Sequence, residues 1–196
     1  MDTLKAYDLS VVLWLNKWVG RYQPLDEFTE LIVSDYFIPV ILALTLLGMW
    51  FSGKDCTSRQ RNQRAVMTAI VALGFANLAI LLINDYYFRP RPFSEVDLTM
   101  LFYRPTDSSF PANPAALSFA LAFGVWQSWK PMGIILLFLG GIWSLSRVYV
   151  GIFYLSDIMA GALIGITISD IATLGLRWLE PLPTALVRLL RLARLA

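Results

Sequence analysis

The chain of 196 residues contains no histidine, a single cysteine and few charges. Without histidine there is neither the commonest general base nor the commonest metal ligand. Cys56 alone excludes an internal disulfide and a cysteine metal cluster. No G-x-x-x-x-G-K-[ST] loop and no G-x-G-x-x-G fingerprint occurs. The basic residues are scattered or sit at segment ends, so no nucleic-acid module is expected, and neither is a metal or cofactor. Charged residues are 15% of the chain and hydrophobic ones 57%, where a soluble domain carries about a quarter charged. The mean hydropathy is +0.60, and what is abundant here is apolar helix.

Crossing a bilayer takes about 20 mostly apolar helical residues. Five stretches meet that description: 36–52, 65–83, 112–128, 131–148 and 156–178. The expected fold is all-α, a polytopic membrane helical bundle of about five transmembrane helices. An N-terminal interfacial helix and a C-terminal amphipathic basic helix flank it. The corresponding regions are 1–35, a membrane domain over 36–178, and a basic tail over 179–196. Small residues recur in the last span (Ala160, Gly161, Ala162, Gly165, Ser169), as close helix packing requires.

Lys54, Arg59, Arg61 and Arg64 in the loop 52–64, Lys130, and Arg177, Arg188, Arg191 and Arg194 fall on one side of a five-span chain. By the positive-inside rule that side is cytoplasmic. The N-terminus is then extracytoplasmic and the C-terminus cytoplasmic, in the cell (inner) membrane. Residues 3–21 set Trp14 and Trp18 among charges, an interfacial pattern. Arg188, Arg191 and Arg194 recur every third residue opposite leucines, which suits a helix lying on a membrane surface. Two readings of this tail stand: a marker of the cytoplasmic side, and a site for anionic lipid.

The outer face receives a stretch of nearly thirty residues, 84–111, and the turn near 146–156. Long connections in compact folds are functional or disordered. These bring Arg89, Arg91, Arg104 and Arg147 to one rim, and the guanidinium fork matches phosphate oxygens. Asn113 is placed to cap the helix after "FPANPAAL", whose amides favour an anion. Asp157 opens the last span, as an N-cap or as an ion-pair partner facing Arg147. The competing reading of each arginine is a side chain reaching to headgroups. Asp170, within the last span, needs a partner, for which Asn77 is a candidate.

Three of these stretches resemble the signature of the phosphatidic acid phosphatase type 2 / vanadium haloperoxidase superfamily, closest to bacterial undecaprenyl pyrophosphate phosphatases. In "NDYYFRPRP", Arg91 and Pro92 stand in register, with Asn84 at the family's Lys position. "Pro111-Ala112-Asn113-Pro114" occupies the place of Pro-Ser-Asn-His, so Pro114 replaces a histidine. Ser146, Arg147 and Asp157 keep the spacing of the third motif, and Phe153 stands where the nucleophilic histidine belongs. The resemblance implies that Arg91, Arg147, Ser146 and Asn113 form a phosphate-binding set. It also implies that the positions of nucleophile, acid and lysine are degenerate, with Asp157 retained.

For function, the resemblance and these replacements imply a lipid-phosphatase-like scaffold acting as a non-catalytic structural or regulatory subunit, with a membrane protein partner. Phospholipid or polyprenyl phosphate remains a ligand in this reading. The alternative is an active lipid phosphate or polyprenyl pyrophosphate phosphatase on the extracytoplasmic face. It would need an unorthodox nucleophile drawn from Asp157, Asp107, Tyr154 or Ser146. A transporter is disfavoured by the absence of an internal repeat.

Overall fold

The polar run after the first apolar stretch begins the longest helix. Asp55 accepts from the Ser58 amide at 3.3 Å, and the Ser58 hydroxyl accepts from the Asp55 amide at 3.3 Å. This reciprocal cap satisfies two donors at the helix start, and the Arg, Gln and Asn that follow tolerate helix well. Helix α4 (Cys56–Tyr86) therefore absorbs the sequence expected as a loop. Arg59, Arg61 and Arg64 ride on helix that projects beyond the apolar layer, since 31 residues reach about 46 Å.

The computed structural model describes residues 2–192, apart from the side chains at 2–4, 188 and 190–192. Within it, α1 (Asp2–Asn16), α2 (Gln23–Val33) and α3 (Phe37–Phe51) precede α4. A single turn, α5 (Pro92–Glu95), interrupts the long connection. Then come α6 (Asn113–Ser128), α7 (Lys130–Tyr149), α8 (Leu155–Trp178) and α9 (Leu182–Leu192). The architecture of the described residues is all-helical, and each of the five expected stretches is a helix, α3, α4, α6, α7 or α8, though not each is a span by itself. Helices α4, α7 and α8 are each long and apolar enough to cross a membrane alone. The pair α2–α3, bent by 52° at a short break, forms a fourth candidate crossing. At 16 residues α6 spans only about 24 Å. It is instead the central helix, packed against α4, α7 and α8.

Small residues allow that packing. Gly161 and Gly165 of α8 lie directly on the α6 backbone. A Cβ at Gly165 would sit 2.3 Å from the Ala116 carbonyl oxygen, and one at Gly161 would sit 2.6 Å from that of Ala112. Gly133 and Gly140 of α7 play the same part against Trp126 and Ser118. Lipid and lipid-facing side chains are equally apolar, so van der Waals contact between close backbones holds such helices together. Asp170 is bonded by Gln127, whose amide donates at 3.1 Å. Asn77 is not its partner. Gln127 is the penultimate residue of α6, so Asp170 lies level with that helix's C-terminal end.

The N-terminal helix reverses the usual interfacial arrangement. Asp8, Val12 and Asn16, four residues apart, form its buried stripe, while Tyr7, Leu13 and Trp14 point outward. Asn16 donates to the Thr99 carbonyl at 2.9 Å and accepts from the Thr99 amide at 3.0 Å. Polar groups thus tie α1 to the long connection, and apolar ones face outward. At the other end α9 forms, with Thr184 accepting from Arg64 at 2.9 Å. The side chains of Arg188 and Arg191, and Arg194 as a whole, lie outside the described residues.

Candidate functional site

The connection between α4 and α6 crosses the rim of the bundle and is held there by its own backbone. The Ser109 amide donates to the Arg89 carbonyl at 2.9 Å, and the Arg89 amide donates to the Ser108 hydroxyl at 3.1 Å. The Ala112 amide donates to the Asp157 carbonyl at 3.2 Å, fixing the start of α6 against the start of α8. These bonds set the places of Arg89 and Arg91. Arg147 comes from the last turn of α7.

Each of these three arginines is matched with at least one carboxylate and one aromatic ring. Arg89 bridges Asp157 at 2.5 Å and Asp8 at 2.9 Å, above the Tyr154 ring at 4.1 Å. Arg91 pairs with Asp107 at 2.8 Å and donates to the carbonyls of Asp107 and Ile152. Its guanidinium lies 4.4 Å from the centre of the Phe153 ring. Arg147 pairs with Asp35 at 2.5 Å, donates to the Val33 carbonyl at 3.0 Å, and lies over Phe102 and Trp143. Phe153, where the resemblance expects a nucleophile, is thus a platform for a buried cation, an interaction of about 0.5–2 kcal/mol.

Several sequence expectations are corrected by this geometry. Asp157 does not face Arg147; its ion-pair partner is Arg89. Nor is it the N-cap of α8, a position held by Tyr154. Asp157 accepts instead from Arg89, from the Ser109 hydroxyl at 2.5 Å and from the Tyr154 amide at 3.3 Å. Asn113 does not cap α6. Ala112 occupies that position without a side-chain bond, and Asn113 is the first helical residue, with Pro114 buried in the first turn. Proline suits that place because its missing amide hydrogen has no intrahelical partner there. The Ser146 hydroxyl donates to the Trp143 carbonyl of its own helix at 2.7 Å. Asn84, in the last turn of α4, has its side-chain oxygen buried without a hydrogen-bond partner. Arg104 lies 5.9 Å from the Phe93 ring.

Residues absent from the sequence expectations complete the cluster. Asp8 accepts from Arg89 and also from the Ser156 amide and hydroxyl. Asp35 accepts from the Tyr103 hydroxyl at 3.0 Å. Glu95 accepts from Tyr154 at 3.0 Å and from Lys5 at 3.1 Å. The signal for Asp8 was present, since an aspartate and an asparagine eight residues apart share one helix face in an apolar stretch. The signal for Asp35 was not, because only the bend after α2 brings it to Arg147.

Each cation of the cluster is offset internally, with one carboxylate in excess. Four cations (Lys5, Arg89, Arg91, Arg147) face five carboxylates (Asp8, Asp35, Glu95, Asp107, Asp157). The carboxylates differ in how firmly they are held. The side chains of Asp8 and Asp157 are 3% and 0% exposed, whereas those of Asp35 and Asp107 are 41% and 49% exposed. Asp35 and Asp107 are thus the accessible counter-charges of the cluster, and the Asp8–Arg89–Asp157 bridge is its buried part.

Burial opposes the charge of Arg89, but the Asp8 and Asp157 carboxylates outweigh it and hold that guanidinium above its usual pKa. Burial dominates at Arg91 and lowers its value despite Asp107. Tyr154 is pushed up by burial and then by its bond to Glu95. A raised tyrosine value means stability fully present below about pH 10, the ordinary value, and lost as pH climbs towards the native one. Tyr154→Phe is expected to flatten the alkaline fall of the melting temperature. At neutral pH it should cost only about 1 kcal/mol, for one hydrogen bond. Melting curves from about pH 7 to 11 in mild detergent test this, and an unchanged alkaline slope in the variant refutes it.

The profile of the PAP2 superfamily matches residues 65–180. The chain is 26% identical over 168 residues to the bacitracin transport permease protein BcrC of Bacillus licheniformis, covering 85% of this chain and 76% of that one. To the undecaprenyl-diphosphatase BcrC of Bacillus subtilis (strain 168) it is 30% identical over 136 residues, 69% of this chain and 67% of that one. The fold superposes on the PAP2 type phosphatidylglycerolphosphate phosphatase of Bacillus subtilis with a TM-score of 0.65 and 17% identity, covering 92% and 90% of the two chains. On Aquifex aeolicus LpxE the TM-score is 0.64 and the identity 23%, over 84% and 93%. Profile, relatives and fold agree on a membrane-embedded helical bundle, and the chain belongs to the PAP2 superfamily.

Proposed function

We propose that this protein is a non-catalytic member of its superfamily: a structural or regulatory subunit of a membrane complex that binds lipid phosphate through Arg91 and Arg147. The observation that carries this reading is the surroundings of Asp157. Its carboxylate is saturated by Arg89, Ser109 and the Tyr154 amide. The two positions where the resemblance expects histidines hold Phe153 and Pro114, neither of which accepts or donates a side-chain proton. Losing a positioned acid alone forfeits about 10²–10⁴-fold in rate, and without a nucleophile there is no covalent route. Asp35 and Asp107, half-exposed, are the partners a phosphate would displace to reach the buried Arg91 and Arg147. The distribution of basic residues supports a site on the extracytoplasmic face, with the C-terminus in the cytoplasm.

The relatives' names favour a second reading, an active phosphatase. Of the side chains considered as substitute nucleophiles, Asp157 is buried and bonded, Tyr154 is buried and bonded to Glu95, and Ser146 is bonded to its own helix. Asp107, half-exposed beside Arg91, is the one that fits.

Phosphate release by the purified protein in mild detergent separates the two. With phosphatidic acid or a polyprenyl pyrophosphate, no turnover above the uncatalysed rate is expected. Turnover that disappears in both Arg147→Ala and Asp107→Asn would establish the enzyme. A stoichiometric membrane protein partner after gentle purification is the further expectation of the subunit reading, and a pure, solitary chain would count against it.

A further inference from the structure

We infer that the end of the bundle opposite the arginine rim carries a second anion site. It is a small cavity between α4, α6 and α8 that takes a phosphate group on Arg177, Arg64 and the Thr68 hydroxyl. It is separate from the rim and independent of the function proposed for the rim.

The two ends of the bundle treat their cations differently. At the rim Arg89, Arg91 and Arg147 each hold a carboxylate, so an anion arriving there must displace one. At the opposite end a single ion pair is present among the described residues, Arg64 with Glu180 at 2.6 Å. Arg61 and Lys130 lie over the Trp129 and Trp126 rings, at 5.2 and 5.8 Å, without a carboxylate. Arg177, in the last turn of α8, is exposed, and its side chain has no partner among the described residues. A cation at a helix C-terminus is favourable by itself, so Arg177 alone marks nothing.

Its surroundings supply the rest. Arg64, Thr68, Ser128 and Arg177 line one cavity of about 150 Å³. A water takes up about 30 Å³ in the liquid, so there is room for about five, as many as the heavy atoms of a phosphate group. Thr68 is 7% exposed, and its hydroxyl has no hydrogen-bond partner among the described residues. A buried donor left unmatched is costly, and a ligand oxygen in the cavity removes that cost. The Ser128 hydroxyl is equally uncommitted. Glu180 is the one carboxylate in the wall, and it is already held by Arg64 and, at 2.9 Å, by Thr184. Asp170, close by, is bonded by Gln127. The wall therefore carries a net positive charge and free donors on two helices, and no carboxylate has to leave. An oxyanion of phosphate size meets those donors, with any ester group left outside. Free phosphate and a phospholipid headgroup share that chemistry.

Methionine methyl NMR of the full-length protein in mild detergent tests this, because Met67 lines the cavity and Met100 packs near the rim. Inorganic phosphate should move the Met67 signal to saturation, and chloride at equal ionic strength should not. Arg177→Ala should raise the midpoint by about tenfold or more, the worth of a hydrogen bond to a charged group. Thr68→Val, which keeps the side chain's shape, should raise it several-fold. Lys54→Ala, outside the cavity, should leave it unchanged. Nanodiscs of phosphatidylcholine with and without phosphatidic acid separate the sources. A Met67 signal already displaced in the phosphatidic acid discs, and unmoved there by added phosphate, identifies a lipid headgroup. An equal response in both discs identifies free phosphate. A Met67 signal that neither moves, or that chloride moves equally, overturns the site. So does an unchanged midpoint in both Arg177→Ala and Thr68→Val. A shift confined to Met100 overturns it too, while favouring phosphate at the rim.

Discussion

Replacing Asp157 with alanine is expected to destabilise the protein by about 3 kcal/mol, the lower part of the range for removing one partner of a buried ion pair. The Asp157 side chain is fully buried and that of Arg89 is 13% exposed. Without Asp157, Arg89 keeps Asp8 as its counter-charge, which places the cost at the low end. The Ser109 hydroxyl and Tyr154 amide would lose an acceptor at the same time. The matching control is Lys5→Ala. Its bond to Glu95 is exposed, with the Lys5 side chain 56% accessible, so the change should cost no more than about 1 kcal/mol. Thermal unfolding of the three proteins in one detergent gives the ranking. An Asp157→Ala melting point equal to that of Lys5→Ala would show that the bridge is not what holds the rim together. The result bears on function as well. A carboxylate whose removal unfolds the rim has become a structural group, consistent with Phe153 standing beside it where a base would need to act.

A larger loss is expected from Gly165→Leu. The first added carbon would meet the Ala116 carbonyl oxygen at 2.3 Å and the Ala120 amide nitrogen at 2.8 Å. Both are backbone atoms of a central helix, so no side-chain rotation relieves the overlap; α6 and α8 must separate. Ordinary overpacking costs about 1–3 kcal/mol, and separating two helices along a shared small-residue seam should exceed that and abolish the folded protein in detergent. Gly175→Ala on the same helix has open space around the new carbon. It should be neutral or stabilising by up to about 1 kcal/mol, because alanine is the better helix former. Monodispersity after extraction, followed by a melting curve, distinguishes the two. If Gly165→Leu behaved like Gly175→Ala, the packing of α8 on α6 would be wrong.

The sequence by itself determined the helices and the scaffold they build. Apolar runs of sufficient length have few alternatives in a bilayer, because every backbone donor and acceptor must be satisfied within the segment. That is why the five apolar helices were legible to within a few residues, apart from α4, although α4, α7 and α8 alone are long and apolar enough to cross singly and the bent pair α2–α3 makes a fourth candidate. There a capping box at Asp55, a local signal, extended the helix through residues that composition alone assigns to a loop. The spacing of Arg91, Arg147 and Asp157 was equally legible, as were the histidines missing beside them, since motif spacing is a property of the chain. Which carboxylate meets which arginine was decided only in three dimensions. Asp8 reaches Arg89 from the far N-terminus, 81 residues away, and Asp35 reaches Arg147 across 112. Ion pairs at such separations depend on how helices bend and dock, and no periodicity encodes them. Asp157 illustrates the division. Its position in the chain names the motif, whereas its partner, Arg89 rather than Arg147, is set by the path of the 84–111 connection over the rim, where burial forces each charge to find the nearest opposite one.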